Sequence, residues 1–480
     1  MASGALQALR AERARFLLLF IIPLAVTAVI SAAPAILNDG DTLWHLAAGR
    51  WMIAHGQPLK VDPFSFTFGG RPWVTQEWLS EVVMAAAYAG AGWSGVMLLT
   101  GLATGAASAV MLSWLGRWLS PLSAVAVFAL GMACVAPSLL ARPHVLVLPL
   151  LAFWTVRLLE ARRCGRTPAL WLCLLMALWA NLHSSFIVGI GLSAALGLEA
   201  ALERGPERWR AARGWAVFTA ACLAAALATP QGIEGLRFPL RVMSMKTLPG
   251  ISEWVSADFS HPGPIEIAFL TALGALFWQG ARFTAVRAAL LLGLTHLAFQ
   301  HVRQGVQLGV VGPLIIAEPL AKAAGMKGAL ILGRRPLPAP QAALAAVLFA
   351  AIVALRLGFP QVRVDGPTAP LTALAHVPPS LRRQPVLNDY DFGGLLIFEG
   401  VRPYIDGRAD MYGDAFVAND DALQRGDAAA LAAAQGAYHI RWAIMGPGRP
   451  LVAVLDRTPG WRRLYADRYA VVQALTPLEP

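Results

Sequence analysis

Asn38-Asp39-Gly40-Asp41-Thr42-Leu43-Trp44-His45 directly follows a long apolar run, and Arg50 and His55 come soon after it. Carboxylates, imidazoles and a guanidinium therefore stand together at the end of a predicted membrane span. Only 14% of the 480 residues are charged, so this density of ionisable groups needs an explanation. The stretch is predicted to open the first outer loop of a polytopic membrane protein, with Asp41 as a candidate catalytic base.

Composition gives the fold class. The chain is 57% hydrophobic, above the 45–50% typical of soluble domains, and apolar runs of about 20 residues recur along it. We expect a mainly α bundle of about eleven spans, followed by a small α/β domain. The net charge of +11 is attributed to basic inner loops rather than to nucleic-acid binding. The basic start at residues 1–15 places the N-terminus inside, and about eleven spans then place the C-terminus outside.

Changes of composition divide the chain in two. Residues 1–358 are predicted to form the transmembrane part, with outer loops at 37–92 and 230–264. Residues 359–480 are predicted to form an extracytoplasmic α/β domain. Thr42–His55 and Trp73–Tyr88 are expected to be interfacial helices in the first loop. The predicted strands of the tail are Val386-Leu387, Leu395–Phe398, Trp442–Met445 and Tyr469–Ala474.

All nine histidines fall at the predicted outer ends of spans or in outer segments. Carboxylates and arginines lie in the same layer, where polar groups are costly unless they are paired or functional. The candidate site residues there are Asp39, Asp41, His45, Arg50, Glu77, Arg142, His144, His183, Glu253, His301 and Arg303.

Structural explanations remain open for several of these residues. Asp41 is compatible with a helix N-cap, Glu77 with a solvated helix face, Arg142 with a snorkelling side chain and His183 with a turn. A polar cluster in the tail, from Asn388 to Tyr412, is compatible with domain packing or with acceptor binding. The four cysteines lack a metal-ligand spacing, so we expect neither a zinc site nor disulfides.

Transfer of a group from a lipid-linked phosphate donor would use this set of side chains. A carboxylate takes the proton of an acceptor hydroxyl, cations hold the phosphate leaving group, and histidines bind a metal or the phosphate. The lipid tail of such a donor lies between spans, so its reactive centre must lie at the membrane boundary.

The layout resembles the type C glycosyltransferase superfamily, which includes protein O-mannosyltransferases, aminoarabinose transferases and the oligosaccharyltransferase catalytic subunit. Short motifs resemble an uncharacterised bacterial branch of that superfamily. These motifs are Asp41-Thr42-Leu43-Trp44-His45, Asp62-Pro63-Phe64-Ser65, Glu77-Trp78-Leu79, Arg142-Pro143-His144, Asn181-Leu182-His183, Asn388-Asp389-Tyr390-Asp391-Phe392-Gly393-Gly394 and Ile405-Asp406-Gly407-Arg408.

The resemblance implies a membrane glycosyltransferase that moves a hexosyl or pentosyl group from a polyprenyl-phosphate donor to a glycan, lipid or protein acceptor. It further implies a bacterial inner membrane, with the active site and C-terminal domain on the outer, periplasmic face. It carries over Asp41 as base, with Asp39 as the fallback.

From the residues themselves we expect phosphate binding by Arg142, Arg303, His144 and His301, and support from His45, Arg50, Glu77, His183 and Glu253. A divalent metal ion stays possible, with no ligand set assigned.

Two other functions fit the same sequence. A transporter or flippase for a lipid-linked or anionic solute would use the outer charges as a gate. A non-catalytic scaffold for envelope assembly would use the tail as its working part. Transporters usually carry polar residues near mid-membrane and repeated halves, and neither pattern is found in this sequence.

Overall fold

The computed structural model describes residues 11–203, 205, 207–250, 253–326 and 338–476. Residues 1–10 of the predicted basic start lie outside this set. The described part is mainly helical, with one small sheet near the C-terminus. The helices before the C-terminal segment are α1 (Ala11–Ala32), α2 (Asp41–His55), α3 (Trp78–Trp118), α4 (Pro121–Val135), α5 (Pro143–Leu146), α6 (Leu148–Arg163), α7 (Leu172–Leu182), α8 (Phe186–Leu202), α9 (Arg208–Ala225), α10 (Ile233–Met243), α11 (Pro264–Gln279), α12 (Ala285–Gln300), α13 (Gly305–Ala323) and α14 (Ala339–Gly358).

Each predicted span coincides with a helix of the bundle. Within the described ranges, six helices are long and apolar enough to cross a membrane, and four shorter apolar helices accompany them. The number of spans and their orientation stay predictions. The bundle core contains several large aromatic side chains that are almost fully buried, among them Trp114, Trp154, Trp179 and Trp215.

Helix α3 differs from the sequence prediction. An interfacial helix over Trp73–Tyr88 and a separate span were expected, but α3 runs through both and begins at Trp78. A break at Ala91 and Gly92 bends it, and Gly92 has φ 57°, which a residue without Cβ adopts at little cost. The small residues between the two apolar runs therefore bend the helix instead of ending it.

Small residues let α1 pack closely on α3. A Cβ on Gly101 would lie 2.1 Å from Ser31 Oγ, and one on Gly105 would lie 2.0 Å from Thr27 Oγ1. Close backbone approach at small residues is the usual way in which apolar helices gain van der Waals contact within a membrane. The contact fixes the end of α1, and thereby the place where the Asn38–His45 stretch starts.

The C-terminal segment combines short helices with a four-stranded sheet of order β1-β2-β4-β3. Strands β1 and β2 are parallel, and the other two pairs are antiparallel. The elements are α15 (Leu371–Ala375), α16 (Pro379–Arg382), β1 (Val386–Asn388), α17 (Gly393–Phe398), α18 (Ala409–Gln424), α19 (Ala428–Tyr438), β2 (Trp442–Met445), α20 (Pro450–Arg457), β3 (Trp461–Ala466) and β4 (Val471–Leu475).

One of the four strand predictions in this segment was wrong, and one strand was missed. Leu395–Phe398 lies in helix α17, and Trp461–Ala466 is a strand that the sequence prediction did not include. A short apolar run with no alternation does not distinguish a buried strand from a buried helix. The predictions for the other three strands agree with the structure to within two residues.

The C-terminal segment shares an apolar core with the first outer loop. Leu43, Leu46 and Trp93 belong to the same buried cluster as Phe392 and Val472. A buried ion pair adds to this contact, because Arg408 Nη1 donates to Asp62 Oδ1 at 2.7 Å. The C-terminal segment is therefore held against the loop that contains Asp41.

Candidate active site

Asp39 and Asp41 have different surroundings although they are two residues apart. Asp39 Oδ2 accepts hydrogen bonds from the backbone N–H of Thr42 at 3.0 Å and from its hydroxyl at 2.8 Å. Asp39, one residue before the N-cap Gly40, therefore satisfies a first-turn N–H of α2, and Asp41 does not cap the helix. The Asp41 carboxylate points elsewhere, and Trp44 Nε1 donates to its Oδ1 at 3.0 Å.

Arg142 joins both aspartates, 103 residues away from Asp39 in sequence. Its Nε donates to Asp39 Oδ2 at 2.7 Å, Nη2 contacts Asp39 Oδ1, and Nη1 lies 3.1 Å from Asp41 Oδ2. The backbone beside it is fixed as well, since Ala141 N–H donates to the Ile36 carbonyl at 2.8 Å. The guanidinium is thus held by two acids of the first outer loop.

Glu253, from the predicted second outer loop, also contacts Arg142. Its carboxylate contacts Arg142 Nη1 and accepts from Arg303 Nη1 at 2.9 Å. Backbone bonds align it, because the N–H of Arg303 donates to the Glu253 carbonyl at 3.2 Å and that of Val302 to Val255 at 3.1 Å. Three separate segments of the chain therefore meet around Arg142.

Histidines and glutamates form a second layer beside this cluster. His45 Nδ1 lies 3.0 Å from Glu81 Oε1, and His183 Nε2 lies 3.0 Å from Glu77 Oε1. The backbone N–H of Ser185 donates to His183 Nδ1 at 3.0 Å, which assigns the ring proton to Nε2, facing Glu77. The protonated nitrogen of His183 thus lies beside the Glu77 carboxylate.

Their surroundings shift the pKa values of the two aspartates in opposite directions. Burial opposes ionisation of Asp39, but the charge and hydrogen bonds of Arg142 hold the pKa of Asp39 well below its usual range. Burial, aided by the charges of Asp39 and Glu253, raises the pKa of Asp41 to about 7 against the influence of Arg142. Asp41 is therefore the carboxylate better suited to exchange a proton near neutral pH.

The C-terminal segment forms one wall of the site. Tyr390, Asp391, Gly407 and Asp410 line the cavity above Asp41. A Cβ on Gly407 would lie 1.8 Å from Asp41 Oδ1, so only glycine fits there without moving the carboxylate. Burial raises the pKa of Asp410 to about 6. The polar cluster that the sequence left undecided is thus divided between the cavity wall and the interior.

The cavity has a volume of about 520 Å³ and is lined by both polar and apolar side chains. The polar lining includes the acids, His45, His183, Arg142 and Arg303. Part of the apolar lining comes from α10 and the segment after it. These residues are Phe238, Pro239, Val242, Met243, Met245 and Leu248.

Three predicted site residues lie outside the cavity lining. Arg50 stacks on the rings of Tyr88 and Phe398, at 4.7 and 4.1 Å from their centroids. His144 Nε2 lies 2.7 Å from the Ser138 carbonyl, and His301 Nδ1 lies 2.8 Å from the Trp254 carbonyl. In this structure these residues contact other protein groups rather than the cavity.

Conversely, the cavity contains residues that the site prediction omitted. Glu81, Tyr390, Asp391, Gly407 and Asp410 all line it. The only signal for the last four was their position within the polar cluster from Asn388 to Tyr412, which domain packing also explains. Glu81 lies one turn after Glu77, a spacing that a solvated helix face also produces.

The carboxylates of Asp39, Asp41 and Glu253 could also hold a metal ion by position. One oxygen from each lies within 4.8 Å of the others. The donor set is all oxygen, which suits Mg²⁺, Ca²⁺ or Mn²⁺.

No protein-family model matches this chain, and no curated protein matches it either. Solved structures of an archaeal enzyme do match. The apo oligosaccharyltransferase of Archaeoglobus fulgidus has a TM-score of 0.47 and 11% identity, covering 88% of this chain and 69% of that one. The form of that enzyme tethered to an acceptor peptide with the NVT sequon has a TM-score of 0.47 and 10% identity, with coverage of 88% and 68%.

The same archaeal oligosaccharyltransferase, AglB, in complex with an inhibitory peptide and a dolichol-phosphate, has a TM-score of 0.39 and 11% identity. That match covers 96% of this chain and 74% of the other. Similarity of this degree leaves the function to be argued from the site itself.

Proposed function

We propose that this chain is an integral membrane glycosyltransferase that moves a sugar from a polyprenyl-phosphate donor to an acceptor hydroxyl. The observation that carries the proposal is the position of Asp41. A carboxylate with a raised pKa lies in a cavity that is lined by arginines and by apolar side chains. Six of the seven motifs that resemble type C glycosyltransferases place at least one residue on the wall of this cavity.

The apolar lining of the cavity suits a lipid tail. Helix α10 presents Phe238 and Val242 to the cavity, while Ile233 and Leu240 are exposed on its outside. A short helix that is apolar on both of these surfaces is suited to lie at the membrane boundary beside lipid. A polyprenyl chain could then enter past α10 and place its phosphate beside Arg303.

Arg303 is the better placed of the two arginines to bind the donor phosphate. Its side chain is 25% exposed, compared with 9% for Arg142. Arg142 already contacts carboxylates through all three of its nitrogens. We assign direct phosphate contact first to Arg303, with Arg142 behind it.

In the proposed reaction, Asp41 accepts the proton of the acceptor hydroxyl as its oxygen attacks the anomeric carbon. The bond from that carbon to the phosphate oxygen breaks, and its electron pair stays on the lipid phosphate beside Arg303. Direct displacement inverts the anomeric configuration. The proton leaves Asp41 after the products separate, which a pKa near 7 allows.

The donor and acceptor classes come from the resemblance to type C glycosyltransferases. We propose a hexose or pentose as the group transferred and a glycan, lipid or protein outside the cytoplasm as its acceptor. The site would face the periplasmic side of a bacterial inner membrane. A scaffold would have no need for a base with a raised pKa in contact with the cavity.

The test is to replace Asp41 by Asn. We expect transfer to fall by about 10²–10⁴-fold, because the amide cannot take up the proton. Envelope glycans, lipids and proteins are compared by mass spectrometry between cells that make the wild-type chain, the variant or neither. Binding of undecaprenyl phosphate to the purified chain is followed by tryptophan fluorescence, since Trp44, Trp73 and Trp254 line the cavity.

Asp421→Asn is the matched control, because that exposed carboxylate pairs only with Arg425 on the same helix. It should leave transfer unchanged. The Asp41 variant should still bind undecaprenyl phosphate. Unchanged transfer in Asp41→Asn would contradict the proposal and favour the scaffold.

A further inference from the structure

The three carboxylates that could hold a metal ion already surround a cation of the protein itself. Arg142 Nη1 lies 3.1 Å from Asp41 Oδ2 and also contacts Glu253 Oε1. Its Nε and Nη2 are taken up by the two oxygens of Asp39. A guanidinium carries its charge at any physiological pH, so this cation is permanent.

Every oxygen of the three carboxylates has a donor. The four oxygens that face Arg142 are both oxygens of Asp39, Asp41 Oδ2 and Glu253 Oε1. Asp41 Oδ1 accepts from Trp44 Nε1 at 3.0 Å, and Glu253 Oε2 accepts from Arg303 Nη1 at 2.9 Å. A divalent ion needs such oxygens at about 2.0–2.6 Å, so an ion that bridges the three carboxylates must displace the Arg142 nitrogens that contact them.

Arg142 is anchored in this position. Its side chain is only 9% exposed. The residue before it is fixed on both sides, because Ala141 N–H donates to Ile36 and the Ala141 carbonyl accepts from Thr42 Oγ1 at 3.1 Å. Moving the guanidinium away would leave both aspartates without the cation that they share, while Glu253 would keep only its contact with Arg303.

We propose that Arg142 takes the position of a divalent metal among Asp39, Asp41 and Glu253, so that the site works without a bound metal ion. The proposal rests on the proposed function only in placing this cluster at the reaction centre. Arg142 keeps the two aspartates apart and fixed, and Arg303 remains available to the donor phosphate. Glu253 connects the two arginines.

The test titrates Mn²⁺ into the purified, chelator-treated full chain and follows free Mn²⁺ by electron paramagnetic resonance. The wild-type chain should have no site tighter than about 1 mM, the weak end for oxygen ligands. Arg142→Gln removes the competing cation, and we expect it to gain one Mn²⁺ site at least about tenfold tighter. The added replacement Asp39→Asn should abolish that gain.

Two variants are controls for the gain. Arg142→Lys keeps the positive charge and should gain no site. Arg363→Gln removes a nearby arginine that reaches the Asp39 carbonyl at 3.1 Å but no carboxylate of the cluster, and it should also gain none. If Arg142→Gln does not yield folded protein, Arg142→Met replaces it, and the same gain is expected.

A wild-type chain that binds one Mn²⁺ at micromolar concentration would overturn the proposal, as would neutral variants of Arg142 that gain no site. The measurement needs no sugar transfer, so it stays decisive even if the proposed function fails. If transfer is observed, a chelator should leave the wild-type rate unchanged.

Discussion

Two buried arginines, Arg142 and Arg408, each pair with an acid from a distant part of the chain. Arg408 pairs with Asp62 and Asp406 and is completely buried. Arg142 pairs with three carboxylates and faces the cavity.

The two clusters differ in charge balance and in access. Tyr412 donates to Asp406 at 2.7 Å, and the rings of Phe64 and Trp73 lie 5.3 and 4.6 Å from the Arg408 guanidinium. The Arg408 cluster is thus enclosed on its sides by protein groups. The Arg142 cluster has one more carboxylate and an open side. The comparison teaches that similar ion pairs hold the structure together when enclosed, and are available for chemistry when a cavity reaches them.

The largest expected effect is on stability. Arg408→Gln leaves Asp62 and Asp406 buried without their cation, and we expect a loss of about 3–5 kcal/mol of folding free energy. Arg142→Gln should cost less than half as much, since water in the cavity can reach the acids it exposes. Thermal unfolding of both variants in detergent checks this. Equal losses of folding free energy in the two variants would show that enclosure does not make the Arg408 cluster more important for stability than the Arg142 cluster.

An intermediate effect is expected from Gly407→Ala. The added methyl group must displace the Asp41 carboxylate from Trp44 Nε1, and a shift of about 1 Å at a reacting group can cost about 10²-fold in rate. The pH at which the rate is half-maximal should also move, which a purely structural effect would not produce. Gly436→Ala, where a Cβ meets no atom within 4 Å, is the control and should keep full activity. Normal kinetics in Gly407→Ala would show that the C-terminal wall does not position Asp41 for the reaction.

The smallest effect is a difference between the pH dependence of activity and that of stability. Asp41 must be ionised to act, so kcat/KM should fall about tenfold per pH unit below its pKa of about 7. Burial opposes ionisation of Asp62, but Arg408 and hydrogen bonds lower the pKa of Asp62. Its contribution to stability is therefore present above its ordinary pKa of about 4 and is lost as the pH falls below that value.

The raised pKa of Asp41 acts on stability in the opposite direction, because its protonated form favours the folded state as the pH falls from about 7 toward 4. Between about pH 4 and 7 the protein should thus lose activity while it stays folded. Rates and thermal unfolding measured across this range test the difference. A rate that stays constant down to pH 5 would mean that another group is the base.

Sequence reasoning reached part of the site. It proposed that Asp39, Asp41, Arg142, Glu253 and Arg303 form one layer, and the structure brings these five together. It did not separate the roles of the two aspartates, since the difference between them arises from Thr42 and Arg142. It also gave Arg50, His144 and His301 places at the site, whereas they lie outside the cavity lining, because a position at the end of a helix does not fix the direction of a side chain.

The sequence by itself determined the helices of the bundle, because long apolar runs with polar breaks form helices wherever they pack. It also placed most ionisable groups at the ends of those helices, since charges are costly within apolar surroundings. Only the tertiary structure decided which arginine meets which acid and that Gly407 contacts Asp41. Any of 39 basic residues could neutralise an acid, and the choice among them depends on packing between segments hundreds of residues apart.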